Sequence, residues 1–173
     1  DFEAKNPIVH YFVGANIIFN ALDFFMPLQA KTVVLCEGDS AIMKKYGYTG
    51  TIFIAIKYMA WPGYVTWQDV VSLKENGWEI GSHTYNHVAL AKATPEELDA
   101  ELKNSKEFLN KFDPSFNVNT IAYPFGSYNE DVYSALSKNG YVAAATGIDG
   151  VNTAETPAYQ LYRVNIFNDG KDV

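Results

Sequence analysis

The feature that most constrains the fold is a regular alternation, from residue 31 onward, of short apolar runs with helical patterns. Six runs are predicted as strands: Thr32–Leu35, Thr51–Ile56, Trp78–Ser82, Asn119–Tyr123, Tyr141–Thr146 and Gln160–Ile166. Strands that alternate with helices are usually parallel and are joined by crossover helices. In a chain of 173 residues this pattern predicts an α/β fold, a small or incomplete β/α barrel, with its chemistry at the carboxyl ends of the strands.

Three helices between these strands carry start and stop signals. Thr66 and Thr94 are each followed three residues later by an acidic residue, which is the pattern of a capping box, and Pro95 occupies a first helical position. Asn129 is the predicted cap of a third helix, which Gly140 ends.

The length predicts a single domain over residues 1–173. Residues 1–30 are interpreted as an N-terminal strand and an apolar segment, and residues 31–167 as the core that carries the motifs. The chain begins at Asp1 and shows no signal peptide, which leaves secretion open. We expect a monomer.

Composition and charge exclude several classes of protein. With 48% hydrophobic and 19% charged residues the chain is not expected to be disordered. The net charge is −7 and the only arginine is Arg163, so nucleic acid is not an expected partner. The single Cys36 excludes an internal disulfide and cysteine-based metal sites. No membrane span is predicted, and the apolar segment 13–26 is interpreted as core or as a peripheral membrane-contact surface.

Two of the three histidines, His83 and His87, follow the predicted strand Trp78–Ser82 at a spacing of four residues. On a helical turn this spacing brings both rings to one side, where they can reach a single metal ion. Imidazole suits zinc and neighbouring divalent metals. The alternative is a pair of surface histidines in a turn, but the position at a strand end favours the metal site.

The residues around these histidines resemble a known family. Segment 77–87, GWEIGSHTYNH, resembles the second motif of the polysaccharide deacetylases, the NodB-homology or carbohydrate esterase family 4 group. Segment 121–129, IAYPFGSYN, is similar to the third motif of that family, and the resemblance extends over roughly residues 31–167. It implies an incomplete barrel of the NodB-homology type.

The resemblance also implies a chemistry, the removal of acetyl groups by a water molecule that a divalent metal activates. In the family two histidines and an aspartate hold the metal. The corresponding residues here are His83, His87 and Asp39. The implied metal is Zn²⁺, with Co²⁺, Ni²⁺ or Mn²⁺ as alternatives. The backbone N–H of Phe125 is implied to bind the oxyanion.

The first motif departs from the family pattern, which reads Thr-Phe-Asp-Asp-Gly. Aligned without gaps, the catalytic base falls on Gly38, which has no side chain, and Glu37 is the candidate replacement. The alternative for Glu37 and Asp39 is a solvated acidic turn. The interval 40–43 is also too short for a crossover helix, which indicates either a degraded motif or residues missing from the sequence.

The third-motif arginine of many family members is replaced by Ala122, a pattern that resembles the branch acting on poly-N-acetylglucosamine. Members of that branch are circularly permuted and carry the catalytic histidine on an N-terminal strand. His10, within Pro7–Tyr11, matches this position. We therefore predict His10 as the general acid, with a buried structural histidine as the alternative.

Further residues are predicted to contact substrate, namely Tyr85, Tyr123, Pro124 and Arg163. Tyrosine rings can stack on sugars but also fill cores. The arginine is expected either to bind a carboxylate in the site or to form an ion pair at the surface.

The expected substrate is a polysaccharide bearing N-acetyl groups: poly-N-acetylglucosamine, a chitin-type polymer or peptidoglycan. A carbohydrate-binding homologue without activity and an O-acetyl xylan esterase are the alternatives. The expected location is extracellular or at the cell surface.

Overall fold

The structure is a computed structural model, which describes residues 49–59, 61 and 64–163. These residues contain five parallel strands that pair in sequence order, β1 (Thr51–Ile54), β2 (Glu79–Ser82), β3 (Thr120–Ala122), β4 (Ala143–Asp149) and β5 (Leu161–Arg163). Three helices connect them, α1 (Trp67–Glu75), α2 (Pro95–Phe112) and α3 (Glu130–Lys138). The α/β fold and the incomplete barrel are thereby confirmed. The predicted strand Thr32–Leu35 and residues 1–30 lie outside the described residues.

The helices begin where the capping signals predict. The Thr94 hydroxyl accepts a hydrogen bond from the Glu97 N–H, and the Glu97 carboxylate accepts one from the Thr94 N–H. Thr66 and Asp69 form the same reciprocal pair. The Asn129 side chain accepts from the N–H of the third helical residue, which satisfies one of the free donors at the start of α3.

The two faces of the sheet differ in the size of their side chains. One face packs against the helices through a core that includes Ile52, Ile80 and Ile121, all buried. The other face carries a small separate cluster of Phe53, Ala122 and Ala145. A Cβ at Gly81 would lie 2.5 Å from Cδ1 of Phe53, so only glycine allows the Phe53 ring to lie across β2.

The strand β4 continues beyond its predicted end at Thr146, as far as Asp149. Its last three residues, Gly147, Ile148 and Asp149, are exposed, and only one of them is apolar, so they do not form an apolar run. They belong to the strand because β4 pairs with β5 up to Asp149 and Arg163, across a register shift.

Candidate metal and substrate site

The two histidines lie in the loop after β2, not on the helical turn that their spacing predicted. Thr84 and His87 have φ values of 66° and 59°. Residues other than glycine rarely adopt this left-handed conformation. Both residues belong to the loop in which the ring centroids of His83 and His87 lie 4.8 Å apart. The prediction of a helical turn is therefore wrong, although the loop does bring the two rings together.

His83 is 4% exposed, and its two ring nitrogens have different surroundings. Nδ1 lies 2.8 Å from the carbonyl oxygen of Ala122 at the end of β3. A carbonyl only accepts hydrogen bonds, so we assign the proton to Nδ1 and leave a lone pair on Nε2. Nε2 is buried and has no hydrogen-bond partner. This is the arrangement in which histidine ligates a metal, with the second nitrogen anchored to a backbone carbonyl.

Both imidazoles are held in the neutral form. Burial lowers the pKa of His83 to about 3 and outweighs the hydrogen bond to Ala122. Repulsion from the protonated form of His87 and from the Arg163 cation lowers this pKa further. Burial also lowers the pKa of His87, with a smaller effect from Lys57. Metal binding requires neutral imidazole, so neither ring needs to lose a proton near neutral pH.

Glu101, in the middle of α2, holds the loop between the two histidines. Its carboxylate accepts hydrogen bonds from the N–H groups of Tyr85 at 2.9 Å and Asn86 at 2.8 Å. It also accepts one from the Asn86 side-chain amide at 2.6 Å. Thr84 completes the turn, because its hydroxyl accepts from the His87 N–H at 2.9 Å. Sequence reasoning missed Glu101, whose only signal is an acidic residue within the apolar stripe of α2.

Phe125 lies in the loop after β3, close to His87. Its φ is 58°, and its side chain is 75% exposed, although its neighbour Pro124 is buried. The ring centroids of Phe125 and His87 are 4.8 Å apart. The loops after β2 and β3 therefore meet at His87, at the carboxyl ends of the strands.

Two of the aromatic residues predicted near the substrate make contacts within the protein. Tyr123 is 1% exposed and its hydroxyl donates to the carbonyl of Tyr159 at 2.9 Å, so its ring belongs to the core. This burial favours core packing, the alternative given for the tyrosines, and the contact of Tyr123 with substrate stays a prediction. Tyr85 is half-buried and packs edge-on against Phe108, with ring centroids 6.0 Å apart.

Arg163 ends β5 as a buried side chain, which excludes the predicted alternative of a surface ion pair. Its Nε donates to the carbonyl of Thr146. Its Nη1 is buried without a hydrogen-bond partner, and burial lowers the pKa of the guanidinium to about 10. The group remains a cation at neutral pH and has a free donor for an anion.

Three predicted site residues, His10, Glu37 and Asp39, lie outside the described residues. Over residues 49–59, 61 and 64–163 there is no cluster of three or more side chains suited to hold a metal ion. The described part of the chain thus contributes two imidazoles to the candidate metal site.

Comparison with known proteins gives the family. A family model for polysaccharide deacetylases matches residues 39–144, which is more than half of the chain. The chain belongs to the polysaccharide deacetylase family. The matched range contains both histidines of the candidate site and the loop that carries Phe125.

Individual relatives agree with this assignment. YxkH of Bacillus subtilis (strain 168), named as a polysaccharide deacetylase, is 33% identical over 127 residues, which cover 72% of this chain and 44% of the relative. The poly-β-1,6-N-acetyl-D-glucosamine N-deacetylase of Staphylococcus epidermidis is 28% identical over 74% of this chain and 49% of its own length. The chain thus spans about half the length of these curated relatives.

A solved structure supports the fold. The deacetylase PplD of Streptococcus pyogenes, in complex with acetate, superposes with a TM-score of 0.70 at 27% identity. The match covers 76% of this chain and 58% of that one. In the described part of the chain, no helix is long and apolar enough to cross a membrane.

Proposed function

We propose that this polysaccharide deacetylase-family protein is a metal-dependent hydrolase that removes N-acetyl groups from a polysaccharide. The observation that carries the proposal is the buried, unprotonated and unpartnered Nε2 of His83, beside the neutral ring of His87. A buried polar atom without a partner is costly, and a metal ion would satisfy it.

The residues present fit a divalent metal of borderline softness. His83 and His87 would supply nitrogen ligands and Asp39 an oxygen ligand, a set that suits Zn²⁺, with Co²⁺, Ni²⁺ or Mn²⁺ as alternatives. When bound, such an ion acidifies water and polarises a carbonyl oxygen. The Nδ1–H of His83, held by the Ala122 carbonyl, would keep the first ring in the ligating orientation.

The remaining roles belong to groups that handle protons and charge. Glu37 would accept the proton of the attacking water, and His10 would donate a proton to the nitrogen of the leaving amine. The backbone N–H of Phe125 would donate to the oxygen of the acetyl carbonyl as negative charge develops on it. Arg163 would bind a carboxylate in the site through its free Nη1.

The proposed substrate is a polymer of N-acetylated sugars, such as poly-N-acetylglucosamine, a chitin-type polymer or peptidoglycan. Support comes from the S. epidermidis relative, which is named for poly-β-1,6-N-acetyl-D-glucosamine. Such polymers lie outside the cytoplasm or on the cell surface, and we propose the same location for this protein.

A second candidate function is carbohydrate binding without catalysis. Gly38 stands where the family has its catalytic base, which favours a carbohydrate-binding homologue if Glu37 does not replace that group. An O-acetyl esterase with the same chemistry would differ only in preferring acetylated xylan.

Metal content and acetate release together test the proposal. We expect the purified protein to bind one divalent ion per chain and to release acetate from N-acetylglucosamine oligomers faster than from acetylated xylan. His83→Ala should lose both properties and keep its fold, as checked by circular dichroism. Full metal occupancy in His83→Ala would refute the metal site, and bound metal without acetate release would favour the binding module.

A further inference from the structure

We propose that Trp61, supported by Tyr58 and Tyr64, is a stacking subsite for a sugar ring next to the unit that is deacetylated. This inference rests on the proposed function and adds a residue that would make the protein prefer polymers to single sugars. We call Tyr58, Trp61 and Tyr64 the aromatic platform; it follows β1, at the same end of the sheet as the histidines.

The platform is a preorganised cluster. The rings of Tyr58 and Tyr64 are stacked, with centroids 5.5 Å apart and planes 20° apart. Trp61 stands nearly perpendicular to both, at 5.2 Å from Tyr58 and 6.1 Å from Tyr64. These contacts hold the indole while leaving it 49% exposed. A large aromatic side chain held in this way can bind a ligand at a small cost in conformational entropy.

The aromatic platform adjoins the candidate metal site directly. The ring centroid of Tyr58 lies 5.6 Å from that of His87, and the ring centroid of Phe125 lies 4.8 Å from that of His87. Two exposed aromatic side chains therefore lie near His87: Phe125 packs against its ring directly, and Trp61 packs against Tyr58, which contacts that ring. A sugar unit that presents its acetyl group beside His87 has neighbours in the polymer chain that would lie against these surfaces.

The chemistry of the platform suits a pyranose ring. Such a ring has apolar C–H faces and hydroxyl groups at its edge, so it combines stacking on an indole with hydrogen bonds at the rim. Lys57 supplies a donor there, because it is exposed and its Nζ lies 5.9 Å from the Tyr58 centroid. Trp67 offers the contrast, since its ring is stacked on Phe112 at 4.2 Å and is half-buried.

The test compares substrates of different length. With the metal-loaded protein, Trp61→Ala should raise the KM for an N-acetylglucosamine pentasaccharide by about tenfold, the effect of one lost stacking contact. Its kcat, and all its constants for the monosaccharide N-acetylglucosamine, which has no neighbouring ring, should stay unchanged. Trp61→Phe should restore part of the affinity. The matched control is Phe112→Ala, which removes an exposed ring that contacts Trp67 and Phe116, and it should leave the length dependence as in the wild type.

A second measurement does not depend on activity. In the metal-free protein, the pentasaccharide should shift the NMR signal of the Trp61 indole N–H, assigned from its absence in Trp61→Phe. If KM depends on substrate length in Trp61→Ala as it does in the wild type, or if Trp61→Ala loses activity equally on all substrates, the proposed subsite is refuted. If Trp61→Ala fails to fold, an unshifted indole signal at saturating pentasaccharide would overturn it instead. Wild-type protein that binds no metal and releases no acetate would refute the proposed function, while the indole signal would still test the platform.

Discussion

Replacing Glu101 should separate the fold of this protein from its ability to bind metal. The Glu101 carboxylate is buried in α2 and accepts three hydrogen bonds from the loop between His83 and His87. In Glu101→Gln the amide oxygen can still accept from the two backbone N–H groups. The amide NH₂ then faces the side-chain NH₂ of Asn86, so the third hydrogen bond is replaced by two donors in contact.

The size of the effect follows from these contacts. A hydrogen bond to a charged group contributes about 1.5–3 kcal/mol. Asn86 is exposed, so water can solvate part of what is lost, and we expect Glu101→Gln to lower the free energy of unfolding by about 1–2 kcal/mol. A loosened loop no longer holds His87 beside His83. Removing a group that orients metal ligands typically weakens metal affinity by about 10- to 100-fold.

The assay is a metal titration in competition with a chelator, together with urea unfolding. Glu107→Gln is the matched control, because Glu107 lies in the same helix, is exposed and forms a surface ion pair with Lys103 at 3.9 Å. Such pairs contribute about 0–1 kcal/mol, so this variant should bind metal as the wild type does. Wild-type metal affinity in Glu101→Gln would refute the reasoning, since it would show that Glu101 supports only the fold.

The other predictions concern single contacts. His10→Ala should lower the turnover of acetate release by about 10²- to 10⁴-fold and leave the metal content unchanged, as measured by elemental analysis; equal turnover would remove His10 as the general acid. Gly81→Ala should lower the free energy of unfolding by about 1–3 kcal/mol in urea, because its Cβ would lie 2.5 Å from Phe53 Cδ1; a neutral result would contradict that close packing. Thr94→Ala should cost about 1 kcal/mol by removing the cap of α2, with metal affinity retained; loss of metal binding would show that the helix end matters to the site.

The sequence alone was sufficient for the features that depend on neighbouring residues. The starts of α1, α2 and α3 follow from Thr66, Thr94 and Asn129, because a capping side chain bonds to an N–H only two or three residues away. The order of parallel strands follows from alternating apolar runs and helices, which leave few ways to bury both faces of a sheet.

The candidate site was predictable only in part. His83 and His87 were singled out by their spacing after a strand, but the loop that brings their rings together, with its two left-handed residues, has no simple pattern. The roles of His10, Glu37 and Asp39 remain predictions from the resemblance, because these residues lie outside the described part of the chain.

Only the tertiary structure decided what each side chain near the site contacts. Tyr123 and Arg163 are predicted substrate contacts, and both are buried, while Glu101, which no sequence pattern singled out, holds the histidine loop. Trp61 and Trp67 are two tryptophans six positions apart, yet Trp61 is half exposed whereas Trp67 stacks on Phe112 of α2. The physical reason is that helix starts depend on adjacent residues, whereas burial and side-chain partners depend on which distant strands and helices pack together.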